Sequence, residues 1–153
     1  MRIARSLHFA SFTIVCLGSF AVASHADEAK PVSNLKVGVA KVVITPPDSA
    51  PTVGHPRPTK GARDPLRAGV LILDDGKTRA AIATFDLVDA FDSLVKRTRA
   101  AIAEKASVPP ENILVNASHN HSGSDFDKNP EWADDVIAKI AKAASEASAN
   151  MNR

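Results

Sequence analysis

Leu66-Arg67-Ala68-Gly69-Val70-Leu71-Ile72-Leu73-Asp74-Asp75-Gly76-Lys77-Thr78-Arg79-Ala80-Ala81-Ile82-Ala83-Thr84-Phe85-Asp86 is the run around which the rest of this chain is organised. Two apolar segments, Leu66–Leu73 and Arg79–Phe85, flank Asp75-Gly76. Asp-Gly between such segments is a strong signal for a tight reversal, so the run reads as an antiparallel hairpin. Val70 to Leu73 and Ala80 to Ala83 are apolar without interruption. A strand with one wet face alternates, and a continuous run predicts a strand covered on both faces.

Downstream of the hairpin, residues 92–106 place Leu94, Val95, Thr98, Ala101 and Ile102 at helical spacing. Pro109-Pro110 stops that helix. Ile113-Leu114-Val115 is then a short buried strand leading into Asn116-Ala117-Ser118-His119. A last helix is predicted over residues 130–149. Asn129 caps it, Pro130 suits its first turn, and Trp132, Val136, Ile137, Ile140 and Ala144 form its apolar stripe. The helix between the strands ending at Asp86 and near His119 resembles a crossover, so those strands run parallel in one sheet. Their C-terminal ends open on one edge, where ligands of such sheets bind.

Upstream, Lys36 to Ile44 is rich in β-branched residues and reads as a strand. Thr45 to Pro65 holds six of the ten prolines and is expected to be a stiff loop with little regular structure. The fold class is therefore α/β: a mixed sheet with an N-terminal strand, a β-hairpin and a βαβ crossover, closed by a C-terminal helix.

The first residues address the compartment. Arg2 and Arg5 precede an uncharged, mostly apolar run from Phe9 to Val22, and Ser24-His25-Ala26 follows. That is the pattern of a secretory signal over residues 1–26, cut before Asp27. It is short for a membrane-spanning helix, which takes roughly 20 apolar residues. The protein is expected to be secreted or periplasmic, with no transmembrane segment after cleavage. Residues 27–35 form a polar, flexible leader, and residues 36–153 form the domain. Cleavage leaves 17 basic against 17 acidic residues. No basic stripe remains to attract nucleic acid or an anionic membrane. The single cysteine, Cys16, leaves with the signal, so no disulfide holds the domain.

Chemistry concentrates in Ser118-His119-Asn120-His121-Ser122-Gly123. Residues two apart in extended chain point to one side. Two imidazoles so placed can share a metal, with zinc accepting their nitrogens, or can hydrogen-bond to each other. A lactamase-type metal site would need an Asp-His soon after; Ser122-Gly123-Ser124 stands there instead. Asp86, at the neighbouring strand end, either fixes a histidine tautomer or caps a helix. Arg63 and Asp64 either line a pocket rim or form a local ion pair bracing the loop. His55 reads as a surface residue, and the sequon at Asn116 as chance.

Four blocks, in order, resemble the neutral/alkaline ceramidases. They are Gly38-Val39-Ala40-Lys41-Val42-Val43-Ile44-Thr45-Pro46-Pro47; Arg63-Asp64-Pro65-Leu66-Arg67-Ala68 with Leu71-Ile72-Leu73-Asp74-Asp75-Gly76; Phe85-Asp86-Leu87-Val88; and Pro110-Glu111-Asn112-Ile113-Leu114-Val115-Asn116-Ala117-Ser118-His119-Asn120-His121-Ser122-Gly123. The resemblance implies a zinc hydrolase that splits the N-acyl amide of ceramide or a related lipid amide. It implies His119 as a zinc ligand, and His121 as a second ligand or a catalytic neighbour that handles protons. Asp86, Arg63 and Asp64 become candidates around the pocket.

Two departures accompany it. The family has Gly-Pro after the histidine pair where this chain has Gly123-Ser124. The family also draws a further His, a Glu and a Tyr from downstream sequence; this chain has no Tyr, and no His after His121. The chain alone is therefore expected to be inactive. It reads first as the N-terminal part of a longer hydrolase, second as an exported binding module or pseudoenzyme, and third as one contributor to a site completed by a partner chain. A lone segment is expected to leave a sheet edge and the inner face of residues 130–149 uncovered.

Overall fold

The computed structural model of the chain describes residues 34–53, 55–58 and 60–152. The signal expected at residues 1–26 and the leader up to Ser33 lie outside the described residues. In chain order, β1 is Lys36–Val43, β2 Pro51–Thr52, β3 His55–Pro58, β4 Arg67–Asp74, β5 Arg79–Phe85, α1 Asp92–Ala106, β6 Ile113–Ala117 and α2 Pro130–Ala149. A 3-10 turn, Pro110–Asn112, leads into β6. One sheet runs β1-β4-β5-β6. β1 and β5 flank β4 antiparallel, and β6 joins β5 parallel through α1. The architecture is the α/β arrangement read from the sequence.

Local chemistry sets the boundaries. The hairpin turns where Gly76 adopts φ 86°, while Asp74 and Asp75 accept the backbone N–H groups of Gly76, Lys77 and Thr78. Those hydrogen bonds hold both carboxyls below the ordinary value of 3.8, with Arg79 adding to the effect on Asp74. Arg79 also ties the hairpin to α1: its Nη1 donates to the Ala106 carbonyl at 2.7 Å, satisfying one of the helix's free C-terminal acceptors. α1 ends where Ser107 turns left-handed, and Pro109 and Pro110 forbid continuation. Asn129 occupies the first position of α2, but its side chain does not cap it. Its amide turns back instead, donating to Ser124 Oγ at 2.9 Å and the Asp125 carbonyl at 2.8 Å.

Both helices pack on one face of the sheet. Ala68, Val70 and Ile72 of β4 and Ala81, Ala83 and Phe85 of β5 meet Leu94 and Ile102 of α1, and Val136, Ile140, Ala143, Ala144 and Ala147 of α2. Each large aliphatic side chain buried this way stabilises by about 1.5–3 kcal/mol before entropy is counted. Trp132 anchors the start of α2 by donating its indole N–H to the Ile44 carbonyl at 2.9 Å. At the other end α2 lies so close to β1 that only glycine fits at position 38, where a Cβ would stand 1.9 Å from the Ala147 carbonyl oxygen.

Three expectations are corrected. The inner face of residues 130–149 is buried against β1 and β4, not exposed. The edge of β1 is partly paired, because Val37 and Asn152 exchange both backbone hydrogen bonds. The strands are covered on one face only: Val39 and Leu114 on the other face are 54% and 57% exposed. The proline-rich stretch also forms the small β2–β3 ribbon rather than staying irregular. Proline can sit in such a ribbon because edge positions need no donor. His55 falls in β3, and its side chain lies outside the described residues.

Candidate functional site

The site grows from the parallel pairing of β5 and β6, which does not stop at the strand ends. Ser118 N–H donates to the Phe85 carbonyl at 2.9 Å, and Asn120 N–H to the Leu87 carbonyl at 3.0 Å. The chain after β6 therefore tracks the chain after β5. Between those two bonds His119 takes φ 61°. That left-handed backbone is uncommon outside glycine, although histidine is among the residues that tolerate it. It swings the imidazole toward the neighbouring segment, where His119 Nδ1 meets the Val88 carbonyl at 2.7 Å. A carbonyl only accepts, so Nδ1 carries the proton and Nε2 keeps its lone pair.

His121 Nε2 lies 3.1 Å from His119 Nε2, and the two rings meet edge to face at 88°. Extended alternation does not produce this meeting, because β6 ends at Ala117 and both histidines stand on the turn beyond it. Asn120 shapes that turn by accepting the Ser122 N–H on its side chain at 2.8 Å. In the neutral pair, His121 Nε2 must donate to the bare His119 Nε2. Two nitrogens bound to one tetrahedral zinc at about 2.0–2.1 Å lie roughly 3.3 Å apart, close to the observed spacing. The pair thus fits two corners of a zinc site, with the main-chain acceptor on the remote nitrogen that such ligands use. Among the described residues, no group of three or more His, Cys, Asp or Glu side chains converges to complete it.

Asp86 stands at the end of β5, on the expected edge, but its hydrogen bonds go to protein framework. Oδ2 accepts the Arg67 N–H at 2.8 Å, and Oδ1 accepts Ser118 Oγ at 3.4 Å. It neither fixes a histidine tautomer nor caps α1, whose first turn follows Phe91. Sequence reasoning named the wrong kind of acceptor: the one on His119 is a backbone carbonyl, which leaves no mark in residue type.

Arg63 and Asp64 are 98% and 89% exposed at the side chain and form a loose pair at 3.9 Å. They border a cleft of about 370 Å³ whose other walls include Thr45, Leu66, Asn120 and Ser122. Asn120 and Ser122 alternate with the two histidines, so the cleft opens beside the pair. Thr45 Oγ1 accepts the Leu66 N–H at 3.0 Å and holds the two walls together. Ser124, at the position of the departure noted above, is 2% exposed and doubly used. Its hydroxyl donates to the Pro51 carbonyl at 2.7 Å and accepts from Asn129. With Val53 N–H on the Gly123 carbonyl at 3.1 Å, this pins the β2–β3 ribbon to the turn that follows the histidines.

No family model matches the chain, and no curated protein matches it significantly. Solved structures do. Neutral ceramidase from Pseudomonas aeruginosa superposes with a TM-score of 0.68 at 19% identity, over 78% of this chain and 22% of that one. A ceramidase complexed with C2 gives 0.66 at 19% identity, with the same coverage. The chain accordingly shares its fold with neutral ceramidase, over a stretch equal to 22% of that enzyme's length.

Proposed function

We propose that the chain is the histidine-bearing segment of an exported zinc amidohydrolase of the neutral ceramidase type. The class of substrate would be a lipid N-acyl amide. The observation that carries this reading is the convergence of His119 Nε2 and His121 Nε2 at 3.1 Å, with the His119 tautomer set by the Val88 carbonyl. The shared fold and the four ordered sequence blocks support it. His119 holds the metal, and His121 is either the second ligand or the group that handles a proton beside it. Zinc in such a site activates a water and polarises the amide carbonyl. The protein's own residues orient: Val88 keeps Nδ1 of His119 protonated, and Asn120 and Ser122 present polar groups to the cleft where a substrate head would lie. Arg63 and Asp64 meet solvent at its rim.

Export rests on the pattern of residues 1–26. Among the described residues, no helix is long and apolar enough to cross a membrane. A second reading, a binding module without catalysis, is favoured by the absence of a third ligand among the described residues. Zinc titration of the purified chain, followed by calorimetry and by histidine NMR, tests the proposal. One zinc per chain should bind weakly, with both Nε2 resonances shifting. His119→Ala and His121→Ala should each weaken binding at least tenfold. Zinc binding indifferent to both substitutions would refute it. Hydrolysis of a fluorescent ceramide by the chain alone, abolished in His119→Ala, would dispose of the binding-module reading.

A further inference from the structure

The second face of the sheet carries an ordered apolar surface unrelated to the histidine pair. Strand register lines up Val39, Leu71, Ile82 and Leu114 in one row across all four strands, and Val37, Leu73 and Ala80 in the next. Val37, Val39, Val43 and Leu114 are 36%, 54%, 46% and 57% exposed, while both helices occupy the opposite face. A contiguous aliphatic face of this kind on a sheet marks an interaction surface. The sequence pattern says the same: the apolar runs of β4, β5 and β6 lack the alternation of a wet face and belong to strands buried on both sides.

We propose that this face packs against the same face of a second copy of the chain, giving a helix–sheet–sheet–helix dimer. Two observations select a second copy as the occupant. The first is size. The strands are 8, 8, 7 and 5 residues long. At about 3.3 Å per residue and about 4.8 Å between strands, the face spans on the order of 450 Å² of plane. Two copies therefore bury roughly 900 Å² of planar area, and more as accessible surface, near the roughly 1,000 Å² at which specific interfaces begin. The second is the placement of charge. Lys41 and Arg67 stand together at one end of the face, and Val37 and Leu73 at the other. A twofold axis along the Val39–Leu114 row lays the cationic end of one sheet over the aliphatic end of its mate. Like charges stay apart, and the long aliphatic stems lie on apolar surface. Sheets so stacked sit about 10 Å apart with interdigitating aliphatic side chains.

Sedimentation of the full chain from about 1 to 100 µM tests this, because an interface of this area fits a micromolar dimer. Val39→Glu and Leu114→Glu change side chains already more than half exposed, so circular dichroism should stay unchanged. Each should weaken association at least tenfold. A wild-type chain that stays monomeric throughout overturns the proposal; the face then meets further polypeptide of another kind. Association of equal strength in both variants, or an open-ended series of aggregates, overturns it too.

Discussion

Replacing Gly38 with alanine tests how tightly α2 is seated on β1. A Cβ at position 38 would stand 1.9 Å from the Ala147 carbonyl oxygen, 2.8 Å from its carbon and 2.9 Å from Met151 Cγ. The methionine can swing away, but the helix backbone cannot. To bring the first contact out to 3.0 Å, the last turns of α2 must retreat by about 1.1 Å, the difference between the two distances. Ile140, Ala143, Ala144 and Ala147 are fully buried along that stretch. A gap of about 1 Å beneath them forfeits a quarter to a half of each contact's attraction. Overpacking usually costs about 1–3 kcal/mol, and the main-chain clash puts this case at the upper end, about 2–4 kcal/mol. The alanine's lower unfolded-state entropy offsets only about 0.4–1 kcal/mol. Domains of this size are stable by about 5–15 kcal/mol, so Tm should fall on the order of 10 °C. Thermal and urea unfolding followed by circular dichroism would read it, with Gly76→Ala as the internal comparison. At φ 86° with nothing within 4 Å, that position exacts only a torsional cost of about 1 kcal/mol. A Gly38→Ala Tm within about 2 °C of wild type, or a loss no larger than that of Gly76→Ala, would refute the close-packing argument.

Trp132→Phe keeps most of the ring but orphans the buried Ile44 carbonyl, and should cost about 1–3 kcal/mol in the urea midpoint. The hairpin turn predicts a pH dependence. Asp74 and Asp75 have folded values below 3.8, so above that value their contribution is fully present. It is lost as pH falls through the lowered values, because the unfolded chain there binds more protons. Tm measured downward from pH 6 should begin to fall near pH 4, and less steeply in Asp74→Asn/Asp75→Asn.

The elements legible in the sequence were those with local punctuation. Asp75-Gly76 marked the hairpin, Pro109-Pro110 the end of α1, and Pro130 the start of α2; each boundary lies where backbone chemistry puts it. What depended on tertiary partners was less visible. Prolines 51, 56 and 58 argued against regular structure, yet the ribbon forms because Ser124 and Gly123 bind it from 70 residues away in sequence (|i−j| of 73 for Ser124 to Pro51). Asn129 had the right type to cap α2, but a buried hydroxyl and a loop carbonyl claimed its amide. The histidine spacing was legible and the reason for their meeting was not. Alternation assumed extended chain, whereas the pair depends on a left-handed torsion at His119.

The acceptor on His119 has a genetic consequence. Every amino acid at position 88 presents the same carbonyl, so no point substitution there deletes the bond that fixes the imidazole. A scan of single mutations would pass over Val88 as indifferent. The orientation is encoded instead in the course of the main chain, through the Asn120-to-Leu87 and Ser118-to-Phe85 hydrogen bonds on either side. Sequence can drift widely at 86–88 and 118–120 while the histidine keeps its aim, provided insertions and deletions stay out of both segments.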